Sequence, residues 1–270
     1  MMIPRQPIPR LLPTLLLAAG VAVADLPTDL PTDLPSGTGP QAQPGISGPD
    51  VVSDWVKELS NMAPESRRAY AEAFRQAKNC YAQGRLVECE THLNTCELYT
   101  RSNPNVWNLR ASVLISQQRY TEAEPLLLEV RRFNPQDSVC RLSFSLLYLG
   151  SGRYEQSIEE TDQLIDDIKY KDMMQLTHSL MFRKLLSLVM LNRMDDARAV
   201  VAEISPIDDS PLYYYSQGVF ALVEGNRRQA MREFNTADAI YASMGYLSGY
   251  KQALNCSGLT EKYTVNPAEK

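Results

Sequence analysis

Five times along the chain, four residues recur at a 3-4-3 spacing. The sets are Leu86, Cys89, Leu93 and Cys96; Tyr120, Ala123, Leu127 and Val130; Tyr154, Ser157, Thr161 and Leu164; Met194, Ala197, Val201 and Ile204; and Arg227, Ala230, Phe234 and Ala237. Steps of three and four stay on one face of an α-helix, so each set predicts a helix with one buried stripe. The first members stand at 86, 120, 154, 194 and 227, which is 34, 34, 40 and 33 residues apart. A period in this range predicts an array of stacked helix pairs, in which each pair buries its apolar face against its neighbours.

Turn signals divide each unit into two helices. The pairs are expected at about 65–82 with 85–100, 105–117 with 120–132, 136–149 with 153–168, 172–191 with 194–204, and 211–224 with 227–242. Gly84, the Gln117-Gln118-Arg119 stretch, Gly150 to Arg153, and Gly225-Asn226 supply turns inside the pairs, and Pro104 and Pro135 open new ones. The 40-residue interval places extra charged residues between Asp166 and Thr177, read as a longer solvated loop or an extended helix end. A short helix capped by Asp50 and ending near Asn61 precedes the array. A last helix, near Leu247 to Leu254, is expected to cover the array's exposed end, with Lys251 and Gln252 on its polar side, and 257–270 reads as a frayed tail. The organisation is thus 1–24, 25–49, an array over 50–256 with units at 70–104, 105–135, 138–171, 178–210 and 211–242, and the tail.

The first two of these segments look unlike the rest. Arg5 and Arg10 precede a largely apolar run from Leu11 to Val23, and Ala22-Val23-Ala24 is a small-x-small site, so 1–24 reads as an export signal cut near Ala24-Asp25. The run is shorter than the roughly 20 residues of a membrane span; an uncleaved anchor is the other reading. The Asp-Leu-Pro-Thr repeats of 25–49 read as a Pro-rich disordered linker. An exported chain would work in the periplasm, the cell envelope or outside the cell, with no membrane span in its mature part.

Composition narrows the function. The 270 residues are 44% hydrophobic and carry a net charge of −5, which disfavours a nucleic-acid partner. Two histidines, His92 and His178, offer little for acid–base or metal chemistry. Adjacent carboxylates (Glu159-Glu160, Asp166-Asp167, Asp195-Asp196) fall at helix ends or surfaces, and no phosphate-binding glycine loop or nucleophile motif is present. The expectation is a noncatalytic protein with no cofactor and no metal. The five cysteines (Cys80, Cys89, Cys96, Cys140 and Cys256) leave two readings open: small buried residues at ladder positions, or a Cys80–Cys89 disulfide across the Gly84 turn.

These residues resemble the tetratricopeptide repeat family, exported bacterial-type members included. The second unit carries the resemblance best, with Trp107, Ala111, Leu114, Tyr120, Ala123, Leu127, Val130 and Pro135; the fifth follows with Tyr214, Gly218, Ala221, Ala230, Phe234 and Ala237. Arg141 and Met181 stand at the early large position of the third and fourth units, and Arg227 replaces the usual aromatic of the fifth. The resemblance implies an all-α, right-handed superhelical solenoid of about five antiparallel helix pairs with N- and C-terminal capping helices. Ala111 and Ala123, or Gly218 and Ala230, are expected to face each other where paired helices approach most closely.

The same resemblance implies a noncatalytic scaffold or adaptor that binds a partner peptide or helix in a concave groove lined by the first helix of each pair. The groove positions would be Phe74 and Lys78, Asn108, Leu142 and Leu146, Phe182 and Leu186, and Tyr215 and Val219. A Lys/Asn/Arg clamp for chaperone C-termini is matched only by Lys78, Asn108 and Arg75. The later units present an apolar surface, read either as an open groove or as packed core. In the Tyr213-Tyr214-Tyr215 run, Tyr214 is expected in the core, Tyr215 in the groove and Tyr213 partly exposed. A noncatalytic carbohydrate or peptidoglycan binder, or a structural subunit of an outer-membrane or secretion complex, are the other functional readings.

Overall fold

The computed structural model describes residues 54–167, 174–208, 210–242 and 247–264; the expected signal and linker at 1–49 lie outside them. Among the described residues there are thirteen helices and no strand. They run α1 Asp54–Asn61, α2 Pro64–Ala82, α3 Leu86–Glu97, α4 Pro104–Ser116, α5 Tyr120–Phe133, α6 Ser138–Gly150, α7 Tyr154–Asp167, α8 Met174–Met190, α9 Met194–Val200, α10 Leu212–Val223, α11 Arg227–Tyr241, α12 Leu247–Ser257 and α13 Leu259–Thr264. No helix among them is long and apolar enough to cross a membrane.

The five 3-4-3 sets fall on α3, α5, α7, α9 and α11, and the first residue of each set is the first residue of its helix. Each of these second helices packs on the one before it, giving the pairs α2–α3, α4–α5, α6–α7, α8–α9 and α10–α11. A common turn makes this register. Two residues before every second helix stands one with a left-handed backbone: Gly84, Gln118, Gly152, Asn192 and Gly225. Its neighbours satisfy the end of the preceding helix; the amide of Arg119, for instance, returns to the Leu114 carbonyl at 2.9 Å, and that of Asn226 to the Ala221 carbonyl at 2.8 Å. Gln118 and Asn192 hold this conformation with a Cβ, at φ 60.

Several stops and starts follow from identifiable chemistry. Asn103 caps α4 by accepting from the Asn105 amide at 2.9 Å, and Asp137 caps α6 by accepting from the Cys140 amide at 2.7 Å. In α7 the ladder positions are Ser157 and Thr161, both fully buried; Ser157 donates to the Ser145 carbonyl of α6 at 2.9 Å and Thr161 to the Ser157 carbonyl at 2.6 Å, so neither hydroxyl is left unsatisfied. The α9 helix stops at Val200, before the last two members of its set; buried Val201 and half-buried Ile204 continue the stripe on a chain held by three-residue turns.

Two large cores result. One gathers Leu59 of α1 with α2, α3 and one side of α4; the other runs from the opposite side of α4 through α12 to Leu259. Gly218 of α10 lies against the ring of Phe234 on α11. Part of the expected frayed tail is helical: Ser257 ends α12 and Leu259–Thr264 form α13, with Leu259 fully buried. The hydrophobic register explains it, because Leu259 continues the apolar stripe of Leu247, Tyr250 and Leu254 past the turn at Gly258.

Candidate functional site

The first helices of the pairs (α2, α4, α6, α8 and α10) present the positions singled out for binding. Their surroundings change along the molecule. On α2, Phe74 and Lys78 are half-buried; Phe74 stacks with Tyr70 at 6.2 Å between centroids, and the Lys78 ammonium sits 5.7 Å from the Phe74 ring centre. Arg75, the third member of the clamp-like set, is exposed and held by Glu72 at 2.6 Å. On α4, Asn108 is buried, and neither polar atom of its side chain has a partner; Ser112 donates to its backbone carbonyl at 3.0 Å. On α6, α8 and α10, Leu142, Leu146, Phe182, Leu186, Tyr215 and Val219 are all buried.

Leu142 packs with Leu164 of α7 and Leu176 and Leu180 of α8, while α12 packs on this face over Phe182 and Tyr215. The sequence pattern places this helix over the end of the array, whereas in the structure it lies across the first helices, against α4, α6 and α8, and also touches α11. Its apolar residues account for the docking: Leu247, Tyr250 and Leu254 follow helical spacing, and Ala253 and Cys256 widen the stripe. The Tyr250 ring sits 5.1 Å from that of Phe182 and 5.2 Å from that of Tyr215, while Phe182 and Tyr215 meet edge-on at 5.5 Å. Tyr215 is therefore the most buried of the three consecutive tyrosines. Tyr214, expected in the core, is half-buried and packs edge-on against Tyr213.

The polar side of α12 is also engaged. Lys251 pairs with Asp238 of α11 at 2.7 Å, and Asp238 also accepts from the Tyr215 hydroxyl at 3.3 Å. The Gln252 amide donates to the Tyr81 hydroxyl at 3.0 Å and to the Ser116 hydroxyl at 2.8 Å, joining α12 to the ends of α2 and α4. Beside this clasp a cavity of about 630 Å³ opens between Tyr81, Ser116, Gln118, Asp238, Lys251 and Asn255. The signal for the arrangement stood in the sequence as the apolar stripe of 247–254. What the stripe could not specify was the surface it would meet.

Near α12 lies a charge that has no counter-ion among the described residues. Arg183 of α8 is 5% exposed; one guanidinium nitrogen donates to the Leu142 carbonyl at 2.9 Å and the Ser145 hydroxyl at 2.8 Å, while its Nε has no partner. No described carboxylate pairs with it, although Tyr81 and Cys256 lie within its field. Burial pulls it down to about 10, far below its ordinary value, so it remains a cation at neutral pH.

Arg141, at the early large position of the third unit, has a different fate. It reaches Asp167 and Gln163 of α7 and lies 3.6 Å from Glu160, which also holds Arg131; the Arg131 guanidinium in turn covers the Phe144 ring at 3.6 Å. Asp196 is held by Arg193 at 2.7 Å. All five cysteines are buried free thiols, and burial pushes Cys89, Cys96 and Cys140 up to about 12 and Cys256 to about 11, which keeps them protonated and unreactive. Among the described residues no cluster of three or more His, Cys, Asp or Glu could hold a metal ion. No protein-family model, curated protein or solved structure matches this chain.

Proposed function

We propose that the protein is a noncatalytic interaction scaffold of the tetratricopeptide type, an exported superhelical array that binds a helical or extended segment of a partner protein on the face of its first helices. The observation that carries this reading is that the face already accommodates an amphipathic helix, α12, through three aromatic rings and a set of leucines. A surface that seats one such helix has the shape and apolarity to seat another. The half-buried Phe74 and Lys78 extend the face towards α2, beyond the reach of α12's apolar stripe.

Crosslinking of the full chain in the native cell envelope, with identification of the attached species, tests the proposal. A protein attached through α2 or α4 residues is the expected product. Recovery of glycan with no protein would overturn the scaffold reading.

A further inference from the structure

We infer that α12 is an internal, exchangeable occupant of this face, and that the partner replacing it is an amphipathic helix carrying an aspartate or glutamate opposite Arg183. The inference rests on the scaffold reading and adds to it the chemistry of the ligand and the means by which the site is held closed.

The argument starts from the mismatch between occupant and seat. Apolar contacts are well made: Tyr250 is fully buried between Phe182 and Tyr215, and Ala253 is fully buried. Polar contacts are incomplete. A guanidinium that is 95% removed from solvent ordinarily faces a carboxylate, because an isolated buried charge is among the costliest features a fold can carry. Arg183 donates instead to two neutral oxygens of α6, with Tyr81 and Cys256 within its field. Cys256 is the α12 residue within its field, and that thiol is a poor acceptor held protonated by burial.

The occupant is also built to be loosened. Gly249, in its first turn, is a residue of low helix propensity. Beyond its bonds to Asp238, Tyr81 and Ser116, its polar side borders the cavity of about 630 Å³. A helix with the same apolar spacing and a carboxylate at the place of Cys256 would keep α12's ring and leucine contacts, give up the thiol's donation to the Ile115 carbonyl at 3.9 Å, and bring a counter-ion towards Arg183. The internal helix has the advantage of being tethered, so a partner must exceed it by more than its high effective concentration. The added charge-assisted hydrogen bond is the term that would tip the exchange.

The test uses the full chain and fluorescently labelled synthetic peptides copying residues 247–259, with Asp or Asn in place of Cys256. The Asp peptide is expected to bind about tenfold more tightly than the Asn peptide, a ratio that falls to one in Arg183→Met. Binding is expected to accelerate hydrogen exchange at the backbone amides of α12 while α6 and α8 stay protected. Tyr250→Ala in the chain weakens the internal competitor and so should raise affinity for both peptides. If Arg183→Met does not fold, the chain variants Cys256→Asp and Cys256→Asn decide the point on their own: the Asp variant must melt higher. Equal affinities, an Asp variant no more stable than the Asn variant, or peptide bound with α12 still protected would each overturn the inference. The last result, together with a protein recovered by crosslinking, would leave the scaffold reading standing.

Discussion

At the scale of single residues, close approach and burial set the sharpest constraints. A Cβ added to Gly218 would come within 2.3 Å of the Phe234 ring, and Phe234 itself packs against Tyr215 at 5.3 Å. Gly218→Ala is therefore expected to destabilise the fold by about 1–3 kcal/mol, and Phe234→Leu in the same chain to return part of that loss. Denaturant titration of the single and double variants reads both numbers. His178 makes a pH-dependent contribution. It is buried near the start of α8 with Nδ1 unpartnered, and burial pulls it below the ordinary histidine value of about 6.5, with the Asp208 carboxylate opposing that pull. The unfolded chain therefore takes up the proton first as pH falls. Stability should be fully present above about pH 6.5 and decline below it, and His178→Phe should flatten that decline in thermal melts taken between pH 7.5 and 5.

At the scale of elements, both helices of each pair were legible, for different reasons. A second helix meets its partner along one narrow stripe, so its sequence repeats every three or four residues, and all five starts fall where the ladders begin. A first helix is covered on several sides: every residue from Cys140 to Leu149 is buried, so its bounds were read from the prolines and turn residues around it rather than from one buried stripe. Arg141 shows the difficulty best. At the early large position it breaks the family-like pattern, and only the structure shows that Glu160, Gln163 and Asp167 of α7 receive it. Arg141→Ala would leave the mostly buried Glu160 to Arg131 alone and is expected to cost about 2 kcal/mol. By contrast, removing exposed Arg193, which pairs with Asp196, should hardly move the melting point. The positions named for the groove lie on the first helices. The docking of α12 on that face joins segments up to 171 residues apart, which no local pattern records.

At the scale of the whole molecule, α12 alters what kind of object the array is. A simple stack of repeats is stable in proportion to nearest-neighbour contacts, and its units can come apart in turn. Here one helix touches α4, α6, α8 and α11, and the core from Ala111 to Leu259 is a single cluster. Units two to five are expected to unfold together, and Tyr250→Ala to broaden or split that transition when melting is followed by probes on α5 and α11 separately. The first pair stands apart from this, with its own core joined to the rest through α4 and the Gln252–Tyr81 bond. The position of α12 near the end of the chain has a further consequence for synthesis. Chains grow from the N-terminus at roughly 5–20 residues per second. Phe182, Leu186 and Tyr215 are therefore made, and their helices can pair, before the segment that will shield them exists. For that interval the nascent chain displays its stickiest surface bare, and a ribosome that stops before Leu247 would release it in that condition for good.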